Sequence, residues 1–314
     1  MIRYGKKHSA FTLLEVIFVL VILGIISSIG SSMIVQVYES YITQNALYKA
    51  NAKTELVSNQ VVNRLSYAIP GTTISKDISN PGIIEDINWI RLEKIPSFDT
   101  NFTTIEWIGY DNDSFSAYQE PAWSGLANYQ TSTQNRLDSP GSNFPKVAEI
   151  MKNLSNKKVD LTLDKPAAVL FRPKNNYYTS GGGEYSPACM GLIDNNTSCI
   201  WPVYQGLNVN QLLFKRTDEP KIITERYKLA WSAYALVPVA DGKGLYDIFL
   251  HYNYQPWNGE QYNDPTTSKK LLMKHVSVFK FTENGGVIQF KLCAQENMGE
   301  QFPITTCKEK AILR

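Results

Sequence analysis

The sequence predicts an α+β protein, with a long N-terminal membrane-spanning helix packed on a head built around an antiparallel sheet. Three observations carry that reading. The stretch from Phe11 to Ile29 is apolar on every side, and beyond it apolar residues recur at helical spacing to about Ala68. Late in the chain, two pairs of extended segments are joined by turn sequences, Asp241-Gly242-Lys243-Gly244 and Glu283-Asn284-Gly285-Gly286. Four cysteines fall in two local pairs, Cys189 with Cys199 and Cys293 with Cys307, which suits a head in an oxidising compartment.

The first segment, 1–10, is a basic leader with Arg3, Lys6 and Lys7 and no acidic residue. The run 11–29 spans roughly 30 Å as a helix, enough to cross hydrocarbon, and the basic end is expected on the cytoplasmic side. Glu15 interrupts that run. A carboxylate at the centre of a membrane helix costs about 2.5–3.5 kcal/mol, so Glu15 requires a partner or a place near the interface. No basic residue lies within one turn downstream. A cut between Ala10 and Phe11 would create a cationic α-amine on Phe11, able to pair with Glu15 of the same or a neighbouring subunit. The competing readings are an uncleaved anchor and a secretory signal peptide cut near Ser28-Ile29-Gly30. The apolar run is long for the latter, and Glu15 breaks it.

From residue 30 the pattern becomes amphipathic. Met33, Ile34, Val37, Tyr38, Tyr41 and Ile42 begin a stripe that Leu56, Val57, Val61, Leu65 and Ala68 continue, while Gln36, Glu39, Lys49, Lys53, Glu55 and Arg64 fill the other face. Pro70-Gly71 supplies a stop near residue 69. One helix over this range measures roughly 85–90 Å. Gly24 and Gly30, with Ser27, Ser28, Ser31 and Ser32, mark a weaker middle where a bend or local unwinding is expected.

The start of the chain resembles the type IV pilin and type II secretion pseudopilin superfamily, whose precursors carry a short basic leader before a start like Phe11-Thr12-Leu13-Leu14-Glu15. The resemblance implies that a prepilin peptidase removes 1–10 and methylates Phe11. It also implies that Glu15 neutralises the N-terminus of an adjacent subunit during assembly. One residue departs from the pattern: Ala10 stands where the family usually has glycine. The implied architecture is pilin-like, with 11–29 as transmembrane and assembly helix, 30–69 as its amphipathic extension and 70–314 as an extracytoplasmic α+β head.

Within the head, Asn88 to Ile95 and Thr104 to Tyr110 read as strands, and Phe144 to Leu154 as a short helix with apolar residues at 144, 147, 150, 151 and 154. Ala168 to Arg172 is a short strand, and Asn175 to Cys199 a Gly-, Ser- and Asn-rich excursion. Ile222 to Val239 pairs with Leu245 to Tyr254, and Leu271 to Thr282 with Val287 to Ala294. In the last pair strict alternation puts Val276, Val278, Lys280 and Thr282 on one face and Ser277, Phe279 and Phe281 on the other. Four cysteines allow three pairings, and proximity favours the two local ones, each worth about 2.5–3 kcal/mol by loop closure. The loop 293–307 and the tail after it resemble the disulfide-closed C-terminal region of pilins.

Bulk charge gives no case for a polyanion binder. Basic and acidic residues number 31 and 29, and three of the basic ones lie in the leader. Motifs for a serine nucleophile elbow, a P-loop, a zinc protease and a dinucleotide fold are absent from the sequence. Gly181-Gly182-Gly183-Glu184 reads as a flexible loop and Asp111-Asn112-Asp113 as a solvated turn, with calcium the lesser alternative. Asp99-x-Asn101-x-Thr103 and Asp194-x-Asn196-x-Ser198 match an extended acidic glycosylation sequon. Tyr252, Tyr254, Trp257 and Tyr262, near Lys269, Lys270, Lys274 and Lys280, suit core packing better than a nucleic-acid surface. No cofactor, metal or catalytic residue is expected.

The resulting expectation is a non-enzymatic filament subunit, larger than a major pilin and suited to initiate or tip a type IV pilus, a type II secretion pseudopilus or a DNA-uptake filament. Its expected partners are prepilin peptidase, other pilin or pseudopilin subunits and the inner-membrane assembly platform, with no direct nucleic-acid contact. The expected location is the inner membrane, single-pass, with the head in the periplasm. The alternative is a membrane-anchored periplasmic binding protein or enzyme that uses the helix as a tether. Glu15 separates the two, because a tether has no use for it.

Overall fold

The computed structural model describes residues 12–77, 89–95, 102–171, 187–215, 223–296 and 303–313. Helix α1 (Leu13–Leu65) runs unbroken for 53 residues, about 80 Å. Gly24 and Gly30 do not interrupt it. Each costs about 1 kcal/mol in a helix interior, but neither removes a backbone N–H, and unwinding within hydrocarbon would strand backbone groups at several kcal/mol each. The helix ends at Leu65, before Ala68, because the chain is drawn into the sheet. Ser66 N–H still bonds to Val62 O, whereas Ala68 forms a bridge with Gly109 and Ile69 N–H bonds to Ile108 O.

Thirteen strands follow among the described residues: β1 (Ile74–Asp77), β2 (Trp89–Arg91), β3 (Phe102–Gly109), β4 (Arg136–Asp138), β5 (Ala167–Phe171), β6 (Trp201–Gln205), β7 (Gln211–Phe214), β8 (Tyr227–Ala230), β9 (Ser232–Ala240), β10 (Tyr246–Tyr254), β11 (Ser268–Asn284), β12 (Val287–Glu296) and β13 (Ile304–Leu313). They form two antiparallel sheets, one in the order β13-β12-β11-β10-β9-β3-β1-β2 and the other β4-β7-β6-β5-β8. Two short helices, α2 (Asn112–Phe115) and α3 (Phe144–Leu154), lie between β3 and β5. Asn143 caps α3 by accepting the Lys146 N–H, and its apolar stripe buries Phe144, Val147 and Met151.

The upper half of α1 rests on β11, β12 and β13. Val57, Val61 and Leu65 meet Met273, Val276, Phe281, Phe290 and Ile312 in the first core. Strict alternation along β11 does not hold. The register shifts opposite Tyr246/Ile248 and again between Val276 and Val278, and His275 takes φ +57°, so Met273, Val276 and Phe281 all turn inward despite their mixed parity. The second core, around Trp123, Phe144, Val169, Trp201, Phe214 and Trp231, fills the smaller sheet. A third joins the sheets through Ile74, Ile108, Leu170, Ala233 and Tyr254. β5 is buried on both faces because Val169 serves the second core and Ala168 and Leu170 the third.

Ile222 to Val239, read as one extended segment, is divided at Trp231: β8 belongs to the smaller sheet and β9 to the larger. Of the segment read as a strand at Asn88 to Ile95, the described residues 89–95 form the three-residue strand β2 and then a 3-10 turn, Leu92–Lys94, which buries Leu92. Both hairpins form at the expected turns, β9–β10 and β11–β12. The stretch after Cys293 is more regular than expected, since β13 pairs with β12 over ten residues without a slip.

Candidate functional site

The N-terminal end of α1 is built by Thr12. Its extended backbone and side chain cap the helix: the hydroxyl oxygen accepts the Glu15 N–H at 3.4 Å, and its carbonyl accepts Glu15 N–H at 3.0 Å and Val16 N–H at 3.3 Å. Glu15 thus lies in the first turn with an exposed carboxylate, where the partial positive charge of the helix terminus favours an anion. Ala10 and Phe11 lie outside the described residues, as does the basic leader.

From Leu13 to Lys49 no residue of α1 is buried, and its apolar side chains stand clear of the head, with Leu13 82%, Ile34 71% and Tyr48 74% exposed. Among the described residues this is one helix long and apolar enough to cross a membrane. Burial begins at Ala50 and continues through Thr54, Val57, Ser58, Val61 and Leu65. The Thr54 hydroxyl lies 3.1 Å from that of Thr306. Lys310 Nζ donates to Glu55 Oε1 at 2.6 Å and Lys308 Nζ lies 3.3 Å from Oε2. The hydrogen bonds from Lys310 and then Lys308 hold the Glu55 carboxyl below its ordinary range. Lys53 pairs with Glu296 at the end of β12. β13 therefore presents alternate residues, Thr306, Lys308, Lys310 and Ile312, to the helix as a seat.

The cysteines come together in the local pairs. Cys293 and Cys307 are directly opposed on β12 and β13 with Cα atoms 4.0 Å apart, and Cys189 and Cys199 lie 5.2 Å apart beneath the third core. In each pair the sulfur atoms lie at disulfide distance.

Sequence reading missed a buried charge cluster. Glu106 is fully buried on β3, with Lys76 Nζ 2.6 Å from Oε2 and the Tyr254 hydroxyl donating to Oε1 at 2.7 Å. Lys76 also donates to Leu192 O at 2.5 Å and lies 5.0 Å from the Tyr262 ring centroid. The cluster ties β1, β3 and β10 to the loop that carries Cys189 and Cys199. Burial, and then the Glu106 charge, push the Tyr254 hydroxyl well above its ordinary value. The available signal was a glutamate inside Ile105-Glu106-Trp107, flanked by fully buried residues.

Asp111 is the N-cap of α2. Its Oδ1 accepts the Ser114 N–H at 3.1 Å while Oδ2 is buried without a partner, and burial lifts the carboxyl from 3.8 to about 7. Asp113 beside it is exposed. No group of three or more His, Cys, Asp or Glu side chains suited to a metal occurs among the described residues. Asn196 is exposed in a turn where its N–H bonds to Asp194 Oδ1 at 2.8 Å. Asp99, Asn101 and the loop 181–184 lie outside the described residues. Tyr254 and Trp257 are core residues, and the Trp257 indole donates to Pro166 O. Tyr252 and Tyr262 are half-buried, so the four aromatics form no common surface.

No curated protein and no solved structure matches the chain. Residues 5–31 match the family model of the prokaryotic N-terminal methylation motif. That match covers residues 5–10 of the leader, including Ala10, together with Phe11, Glu15 and the whole of the apolar run. This motif on a long apolar N-terminal helix, with an α+β head of antiparallel sheets behind it, supports a likeness to proteins of the type IV pilin and pseudopilin type.

Proposed function

We propose that this chain is a minor pilin or minor pseudopilin, inserted in the inner membrane with its head in the periplasm and incorporated at the start or tip of a filament. The observation that carries the reading is the methylation motif at residues 5–31, continuous with a helix whose first buried residue is Ala50. About 55 Å of bare helix below that point exposes far more apolar surface than a monomer keeps in water, so it needs lipid before assembly and other subunits after it.

In this reading prepilin peptidase cuts between Ala10 and Phe11, and the new α-amine of Phe11 is methylated. Glu15 offers its carboxylate to the α-amine of a neighbouring subunit, which offsets the cost of holding either charge in hydrocarbon. The broad head disfavours close repetition along a filament and suits a sparse or apical position. Cys189–Cys199 and Cys293–Cys307 are oxidised in the periplasm, and β13, held by the second pair, keeps the upper helix seated. The protein acts as a structural subunit.

Mass spectrometry of the N-terminal peptide from chain co-expressed with a prepilin peptidase tests the reading. The expected product begins at N-methylated Phe11. An intact Met1, or a start at Ser31, would remove it.

A further inference from the structure

Where α1 leaves the sheet it roofs a groove of about 570 Å³ over β3, β9, β10 and β11, within the size range of small-ligand sites. The floor is apolar and aromatic. Leu236 and Leu250 lie beneath it, and the Tyr234 ring is laid flat over Gly109 and stacked on Trp107 at 5.8 Å. Tyr67 and Tyr110, packed edge to face at 5.5 Å, and Tyr252 complete the aromatic lining, with Lys228 Nζ over the Tyr110 ring at 4.2 Å. The rim carries planar hydrogen-bonding groups: Gln60 and Asn63 on α1 and Asn112 on α2, with Arg64 above the Tyr234 ring at 5.5 Å.

Two features restrict the occupant. The lining charges are of both signs, Arg64 and Lys270 with Asp113, so a polyanion finds no continuous basic track. The groove begins at Gln60, roughly 45 Å along the helix from Ile29, beyond the reach of a bilayer headgroup. The lining suits a neutral ligand that has an apolar face for tyrosine rings and many hydroxyls for amide, carboxylate and guanidinium partners. We infer that this groove binds a neutral oligosaccharide, stacking a sugar ring on the tyrosine rings while the rim side chains of α1 and α2 bond to its hydroxyls. Neither Glu15 nor the apolar run 11–29 contributes to its lining.

The test uses the full chain in detergent micelles, titrated with three neutral hexasaccharides (β-1,4-glucose, β-1,4-N-acetylglucosamine and α-1,4-glucose) and with a twelve-residue oligothymidylate at physiological salt. Tryptophan fluorescence, sensitive to Trp107 under Tyr234, and calorimetry read the binding. At least one saccharide is expected to bind saturably with Kd below about 1 mM, and the oligothymidylate not at all. Tyr252→Ala and Asn63→Ala are each expected to weaken that binding at least fivefold, with near-ultraviolet circular dichroism unchanged. Tyr129→Ala, at an exposed position outside the groove, leaves it intact. Gly109→Ala is expected to abolish it, because a Cβ there would come within 2.6 Å of the Tyr234 ring and drive it into the groove. Absence of saturable binding by all three saccharides to about 10 mM would overturn the inference, as would binding that Tyr252→Ala and Asn63→Ala leave unaltered, or binding of the oligothymidylate alone.

Discussion

Glu106→Gln is the substitution that most sharply tests how the head is held together. The wild-type carboxylate is fully buried, 2.6 Å from Lys76 Nζ and 2.7 Å from the Tyr254 hydroxyl. Glutamine keeps the shape and can still accept from Tyr254, but it leaves the Lys76 ammonium with only Leu192 O and the face of Tyr262. Removing one partner of a buried pair costs about 3–5 kcal/mol. The Lys76 side chain is 15% exposed and regains some hydration, which places the expected loss at the lower end, about 3 kcal/mol. For a domain of this size that is a drop of roughly 6–12 °C in Tm. Urea unfolding of the full chain in micelles, followed by tryptophan fluorescence, measures it. Adding Lys76→Met removes the orphaned charge and is expected to restore at least half of the loss. A loss under about 1 kcal/mol for Glu106→Gln, or additive costs in the double variant, would refute the reasoning.

Asp111 carries a pH dependence of opposite sense to ordinary acid denaturation. Its folded pKa, raised to about 7, lies above the unfolded value, so between about pH 4 and 7 the native state holds a proton that the unfolded state has lost. Stability from this group therefore falls as pH rises through that window, by up to about 4 kcal/mol, and Asp111→Asn should flatten the fall and raise Tm at pH 8. An unchanged pH profile in Asp111→Asn would exclude it. Non-reducing peptide mapping of periplasmic material should recover Cys189–Cys199 and Cys293–Cys307, and a Cys199 to Cys293 link would overturn the pairing. Replacing Cys293 and Cys307 by serine should cost about 3 kcal/mol. It should also speed hydrogen exchange over residues 50–65, because β13 carries Lys308 and Lys310 to Glu55; equal exchange would separate the disulfide from the helix seat.

The two longer helices were legible because period 3.6 is a strong signal over long runs, whereas α2, with Asp111 buried as its cap, stands where a solvated turn was read. α3 begins and ends at Phe144 and Leu154 as read, and α1 runs unbroken through the glycines where a bend was expected and departs from its read span at its top. There the competing influence was tertiary, since Ala68 and Ile69 gain backbone partners on β3 that the helix could not offer. The hairpins were legible from their glycines, with Gly242, Gly244, Gly285 and Gly286 all at positive φ. β4, β6 and β7 were not, since three to five residues leave too little alternation to see. β13 was hidden by Lys308-Glu309-Lys310, whose charges serve the helix seat and the exposed face alternately. The division at Trp231 has no glycine or proline to mark it. Of the candidate sites, the anchor was carried by local sequence, whereas the Glu106 cluster and the groove under α1 draw residues from distant strands, which no spacing rule reveals.

Glu15 is proposed to serve a filament and not merely a tether. Quantifying wild-type and Glu15→Val chain in sheared filament fractions, against the amount in membranes, tests it most directly. Equal or greater insertion of the variant into membranes is expected, because a desolvated carboxylate is removed, together with at least a tenfold loss from the filament fraction. Equal recovery of variant and wild type in sheared filaments, or no wild-type chain there at all, would contradict it.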